Sequence, residues 1–167
     1  MTATRLTEGV PLPSFTGLDH TGETRSSDEF SSSKVVIYFY PKAFTPGCTT
    51  ESCDFRDRHE FFAAQGYEIL GISPDSPERL TDFRAEHDLP FDLISDPDHS
   101  IAEAFAAWGE KKNYGKVYMG IIRSTFVVAD GVVESAYYNV RAKGHAERIS
   151  KELPNSSDVP GGGDTGT

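Results

Sequence analysis

Short runs of consecutive apolar residues alternate along the chain with segments in which apolar and polar positions are mixed. The longest apolar run, 35–40, consists of β-branched and aromatic residues, which predicts a strand buried on both faces. Similar runs at 67–72, 91–94 and 123–129 predict three further strands. The pattern therefore predicts a sheet whose central strands are covered on both sides.

Between and after these runs, apolar residues recur at helical spacing. Helices are predicted over 48–64, 77–87, about 98–107 and 145–153. The second of these begins with a Ser-Pro pair, which supplies an N-cap and a proline at the first helical position. Ser26–Phe30 is predicted to form a further short helical turn.

Turn residues complete the predicted order of elements. Residues 19–22 and the Asp-Gly pair at 130–131 each predict a hairpin, the second leading into a strand over 132–138. This order predicts an α/β, thioredoxin-like fold, with a central mixed β-sheet flanked by helices on both faces. One domain is expected over 1–153. Residues 154–167 are rich in Gly, Pro, Asn, Ser and Asp, and we expect a disordered tail there.

The net charge limits which classes of binding partner the protein could have. The 167 residues include 16 Lys and Arg against 26 Asp and Glu, a formal net charge of -10. Such a field repels phosphates, so it argues against nucleic-acid or membrane binding through a broad basic surface, although it allows a small basic patch. No apolar run approaches the ~20 residues needed to span a bilayer, and the N-terminus lacks the apolar segment of a signal peptide. We expect a cytoplasmic protein with reduced thiols.

Cys48 is a candidate for chemistry because of its position. It follows a buried strand and lies in the first turn of a predicted helix. Helix N-termini expose unpaired N–H groups and the positive end of the helix dipole, which favour a thiolate. Position alone leaves two interpretations open: a reactive thiol, or a small buried side chain.

Cys53, the second of the two cysteines, lies five residues further on. In a regular helix this spacing separates the two Cα atoms by roughly 8.7 Å, whereas a disulfide requires about 7 Å or less. The two cysteines can therefore bond only if the helix unwinds, and the spacing alone also fits a chance pair. Zinc would need two more ligands, and His59 is the only histidine nearby, so we expect no metal.

The residues around Cys48 carry a specific resemblance. Residues 41–51 contain the pattern P-x-x-x-T-x-x-C-x-x-E, which resembles the peroxiredoxins. The continuation over 48–57, Cys-Thr-Thr-Glu-Ser-Cys-Asp-Phe-Arg-Asp, resembles their Q-type subfamily, also called bacterioferritin comigratory protein. Further matching segments are Gly71-Ile72-Ser73 with Asp75, Leu93-Ile94-Ser95-Asp96, and Arg123-Ser124-Thr125-Phe126. The resemblance covers residues 6 to about 153.

The resemblance implies a thiol-specific peroxidase that reduces hydrogen peroxide and organic hydroperoxides to water and alcohols. Cys48 is then the peroxidatic cysteine and becomes a sulfenic acid. Thr45 is expected to hydrogen-bond the peroxide and the thiolate, and Pro41 to shield the site. Arg123 is expected to hold the thiolate, and Glu51 is expected to orient the Arg123 side chain. Taken singly, these four residues have ordinary interpretations as turn residues, a strand-start cation and a first-turn carboxylate.

By the same resemblance, Cys53 is the resolving cysteine of an atypical two-cysteine enzyme, which forms an intramolecular disulfide recycled by thioredoxin. No cofactor is implied, because the sulfur itself is oxidised and reduced. Resolution within one chain suits a monomer or weak dimer. We also expect Phe44 to line an apolar approach for alkyl hydroperoxides. The alternatives are a general thiol–disulfide redox sensor or a holdase on the same fold.

Overall fold

The computed structural model describes residues 5–153, so the predicted tail at 154–167 lies outside the described residues. The strands are β1 Thr16–Asp19, β2 Thr24–Ser26, β3 Lys34–Phe39, β4 Tyr67–Ser73, β5 Asp92–Ser95, β6 Trp108–Asn113, β7 Lys116–Ile121, β8 Ser124–Ala129 and β9 Val132–Tyr137. The α-helices are α1 Pro46–Asp57, α2 His59–Ala64, α3 Pro77–Glu86, α4 Ser100–Ala104 and α5 His145–Glu152. The predicted short helical turn is a 3-10 helix, Ser27–Phe30.

Seven strands form one sheet in the order β2-β1-β5-β4-β3-β8-β9. Strand β4 pairs in parallel with β3 and β5, whereas β8 pairs antiparallel with β3 and β9. The sheet is therefore mixed, as the sequence predicts. The two predicted hairpins are present, β1–β2 and β8–β9, and Asp130 and Gly131 in the second turn both have positive φ, 52° and 76°.

Side chains of β3 alternate between two apolar layers. Val36 and Tyr38 pack with buried residues of α1, α2, α3 and α5, while Val35, Ile37 and Phe39 pack with the 3-10 helix and α4. All five are fully buried. Because both faces of this strand are apolar over residues 35–39, both require cover, and helices lie on both, as predicted.

Two predicted helices differ in extent. The helix expected over 48–64 starts earlier, at Pro46, and divides at Arg58, whose ψ of 9° departs from helical geometry. Phe55 and Phe62, one on each side of the division, are both fully buried. The helix expected to reach 107 ends at Ala104, and Ala106 then takes a positive φ of 57°. The N–H of Ala107 donates to the carbonyl of Ala102, which closes the helix end.

The sequence did not predict the β6–β7 hairpin, which forms a separate two-stranded sheet. Tyr114 and Gly115 at its turn have positive φ, 53° and 81°. Only the glycine is a recognisable signal for such a turn. Within residues 5–153, no helix has the length and apolar character needed to cross a membrane.

Candidate active site

Cys48 lies where three segments meet: the end of β3, the loop 41–45 and the first turn of α1. It is the third residue of α1 and its side chain is almost fully buried, at 1% exposure. Thr45 occupies the N-cap position with an extended backbone, and Pro46 is the first helical residue. The sulfur is therefore held at the positive end of a 12-residue helix, as the sequence predicts.

Arg123 bridges Cys48 and Glu51. Its Nη2 donates to Cys48 Sγ at 3.3 Å, and its Nη1 donates to Glu51 Oε1 at 2.6 Å. Gly47 makes room for the guanidinium, because a Cβ at that position would lie 3.3 Å from Nη2. The planar guanidinium of Arg123 thus places a positive charge beside the sulfur, and the Glu51 carboxylate fixes the orientation of the guanidinium.

The charges in this group are largely removed from water. The Glu51 side chain is fully buried, and the Arg123 side chain is 17% exposed. Burial raises the pKa of Glu51 to about 7, against the opposing effect of Arg123. Burial alone would lower the pKa of Arg123, but Glu51 and Cys48 raise it above its ordinary value. Arg123 therefore remains charged, and its field acts on Cys48 with little screening.

The loop before Cys48 is anchored to the end of β4 by Asp75. Asp75 Oδ2 accepts from the Ala43 backbone N–H and from the Ser73 hydroxyl, both at 2.7 Å. Its Oδ1 forms an ion pair with Arg79 at 3.3 Å. In the sequence, Asp75 is one of the positions that match the peroxiredoxin pattern, but nothing in the sequence indicates its role. No local spacing signals a contact between residues 43 and 75.

Pro41 and Thr45 lie in this anchored loop. The Thr45 hydroxyl donates to the Lys42 carbonyl at 2.7 Å. Among the hydrogen bonds described for residues 5–153, the one to Cys48 Sγ comes from Arg123. The structure thus places Thr45 three residues before Cys48 but directs its hydroxyl into the loop. Pro41, which follows the fully buried Tyr40, is half-buried.

Phe44 lies in the same loop, four residues before Cys48. It takes a left-handed φ of 68°, and its side chain is 40% exposed. Its ring packs edge-on against Phe83 at 5.2 Å between centroids, with the Arg79 guanidinium 4.9 Å from its centroid. The loop that precedes Cys48 therefore carries an exposed aromatic ring.

Cys53 lies in the same unbroken helix as Cys48, and both thiols are free. It is half-buried. Burial raises the pKa of Cys53; Arg56 opposes this, and Asp57 and Asp54 add to it. In the described part of the chain, no three His, Cys, Asp or Glu side chains are grouped so that they could hold a metal ion.

A family model described as the AhpC/TSA family matches residues 9–136. Peroxiredoxin Bcp of Bacillus subtilis is 47% identical over 141 residues, which are 84% of this chain and 89% of that protein. Peroxiredoxin Bcp of Escherichia coli is 41% identical over 145 residues, 86% of this chain and 93% of that protein.

A solved structure shows that the similarity to this family extends to the three-dimensional fold. It is of the Xanthomonas campestris bacterioferritin comigratory protein and concerns the alkyl peroxide reduction activity of that protein. It superposes with a TM-score of 0.78 at 37% identity, covering 83% of this chain and 89% of that one. The similarity therefore extends over most of both chains, in fold as well as in sequence.

Proposed function

The chain belongs to the AhpC/TSA family, in its Bcp peroxiredoxin group, and we propose that it works as a two-cysteine peroxidase acting through Cys48 and Cys53. It is an enzyme, a peroxidase, and the thioredoxin-like fold predicted from its sequence is confirmed. The single observation that carries the assignment of Cys48 as the reacting thiol is the Arg123 guanidinium, held between Cys48 Sγ and Glu51.

In the first step, the Cys48 thiolate attacks one oxygen of the hydroperoxide. An S–O bond forms, the O–O bond breaks, and the departing oxygen takes a proton to leave as water or an alcohol. Negative charge moves from the sulfur to the leaving oxygen. A fixed cation 3.3 Å from the sulfur stabilises this charge without having to reorganise. Arg123 therefore lowers the barrier, and Glu51 acts as its positioning residue.

Two loop residues complete the first step. The Thr45 side chain stands at the N-cap of α1, and rotation about a single bond exchanges its bond to Lys42 for one to a bound peroxide. Pro41 has no N–H, so it excludes water from this side without competing for the peroxide. The Asp75 contact to Ala43 holds both residues in place.

In the second step, the Cys53 thiolate attacks the Cys48 sulfenic acid. The S–S bond forms and the S–O bond breaks, and the oxygen leaves as water. The helix must unwind between the two cysteines first, because an intact α1 keeps their Cα atoms about 8.7 Å apart. The exposed disulfide is then reduced by thiol exchange with thioredoxin. A cycle completed within one chain is compatible with a monomer or a weak dimer.

Alkyl hydroperoxides are the proposed substrates beside hydrogen peroxide. The related X. campestris protein reduces alkyl peroxides, and Phe44 offers an apolar surface next to the site. An alkyl group packed on this ring gains free energy from the apolar area that it removes from water.

The proposal is tested by hydroperoxide-dependent NADPH oxidation with thioredoxin and its reductase. Wild type, C48S and C53S are compared side by side. We expect steady turnover in wild type, none in C48S, and in C53S a single peroxide reduction without turnover. Full steady turnover in C53S would show that Cys53 is not the resolving cysteine.

A further inference from the structure

We infer that the hydrogen bond between Tyr38 and Ser52 keeps α1 wound and thereby sets how fast Cys53 reaches Cys48. The Tyr38 and Ser52 hydroxyl oxygens are 2.8 Å apart, and both side chains are fully buried. The inference rests on the proposed disulfide between Cys48 and Cys53. It makes Tyr38 a positioning residue for the second step of the cycle.

The contact joins the sheet to the part of α1 that must move. Tyr38 lies in β3, near the centre of the sheet, and Ser52 directly precedes Cys53. Further along α1, Phe55 stacks on the Tyr38 ring at 4.6 Å between centroids and is fully buried. Phe55 anchors the second half of the helix, so the unwinding segment lies before it and contains Ser52. Disulfide formation therefore moves Ser52 away from Tyr38.

The fold makes specific room for this hydroxyl. Strand β4 carries Gly71 beside Tyr38, and a Cβ at that position would lie 2.9 Å from the tyrosine Cζ and hydroxyl oxygen. Burial raises the pKa of Tyr38 well above its usual range, so the hydroxyl remains protonated. When Ser52 leaves, a buried hydroxyl loses its partner, and this disfavours the unwound helix.

The sulfenic acid on Cys48 has two fates, and the Tyr38–Ser52 bond biases the choice. In the wound helix a second hydroperoxide oxidises it to a sulfinic acid: one more S–O bond forms, the O–O bond of the peroxide breaks, and the departing oxygen leaves with a proton as water or an alcohol. In the unwound helix Cys53 displaces its oxygen as water. A stronger bond to Ser52 prolongs the wound state and favours the sulfinic acid.

The experiment compares wild type, Y38F, S52A and the double variant Y38F/S52A. Each protein is treated with a small excess of hydrogen peroxide and quenched in acid over a time course. Mass spectrometry then quantifies sulfenic acid, disulfide and sulfinic acid at Cys48. Y67F is the matched control, because it deletes a tyrosine hydroxyl that donates to Glu134 at 2.7 Å, away from α1.

We expect Y38F to form the disulfide about three to ten times faster than wild type, the range that one net hydrogen bond gives. The peroxide concentration that produces sulfinic acid should rise by the same factor. The rate of the first step should change less than two-fold, because Arg123 still contacts the sulfur. Y67F should match wild type, and Y38F should have no further effect in the S52A background.

Amide hydrogen exchange gives a second measurement that needs no peroxide. Residues 48–53 should exchange faster in Y38F and in S52A than in wild type, whereas α3 should exchange equally in all three. A disulfide that forms in Y38F at the wild-type rate, with unchanged exchange in α1, would overturn the inference and leave the two-cysteine cycle intact. No Cys48–Cys53 disulfide in wild type would overturn both.

Discussion

Replacement of Arg123 tests the group on which the proposed first step depends. The guanidinium lies 3.3 Å from Cys48 Sγ, and its side chain is only 17% exposed. Unit charges about 4 Å apart at an effective dielectric constant of about 20 attract by about 4 kcal/mol, roughly three powers of ten in rate. Removal of one donor from an oxyanion site typically costs 10²–10³-fold. We therefore expect R123Q to slow the first step by about 10²–10³-fold.

The assay follows loss of the Cys48 thiol after mixing with hydroperoxide under single-turnover conditions. R123K keeps the charge but cannot donate to both Glu51 and Cys48 with one planar fork, so we expect an intermediate loss of about ten-fold. R148Q is the control, since Arg148 pairs with Glu152 at 3.3 Å on an exposed face of α5 and should not affect the rate.

R123Q also leaves the Glu51 carboxyl buried without its partner, which destabilises the fold. The double variant E51Q/R123Q removes both charges and separates stability from rate. We expect it to unfold at a higher urea concentration than R123Q while reacting as slowly with peroxide. A folded R123Q or E51Q/R123Q that reacts within three-fold of wild type would refute the role of Arg123.

Three further predictions concern groups around this site. Burial, then Arg148 and Arg123, lower the pKa of His145 to about 4, so its neutral form stabilises the fold at neutral pH and this contribution falls as pH drops below 6.5. In urea titrations, the stability advantage of wild type over H145Q should shrink by about 2 kcal/mol between pH 7.5 and 5; an advantage independent of pH would contradict this. F44A should slow single-turnover reduction of an alkyl hydroperoxide about three- to ten-fold and that of hydrogen peroxide less than two-fold; equal effects would exclude a substrate contact. D75A removes the acceptor of the Ala43 N–H, so the first step should slow about three- to ten-fold, and a rate equal to wild type would rule out loop positioning.

The sheet was predictable because each central strand is a continuous apolar run bounded by turn residues. The β6–β7 hairpin was not, because most of β7 is exposed and its residues show no alternation of apolar and polar positions. The division of the long helix at Arg58 was also missed. The sequence on either side of Arg58 has helical periodicity, and Phe55 and Phe62, seven residues apart, would share one face of an unbroken helix, so the apolar pattern gives no sign of the division.

For the site, local spacing was sufficient only within one element. Cys48 and Glu51 are three residues apart on one helix, so their shared face follows from the sequence. Arg123 was reached through the resemblance, and the structural reason is long-range. Ser124 pairs with Phe39, the last residue of β3. This register places Arg123 beside the end of β3, from which the chain continues into the loop and helix that carry Cys48. The Tyr38–Ser52 contact has no counterpart in sequence spacing.

The most direct test of the central claim is a count of thiols lost per hydroperoxide. One molar equivalent of hydrogen peroxide is added to reduced protein, and free thiols are titrated under denaturing conditions. We predict two thiols lost per chain in wild type, with Cys48 and Cys53 linked in one tryptic fragment and no cross-linked dimer. C53S should lose one thiol and C48S none. Loss of a single thiol in wild type, or a disulfide between two chains, would contradict the two-cysteine cycle.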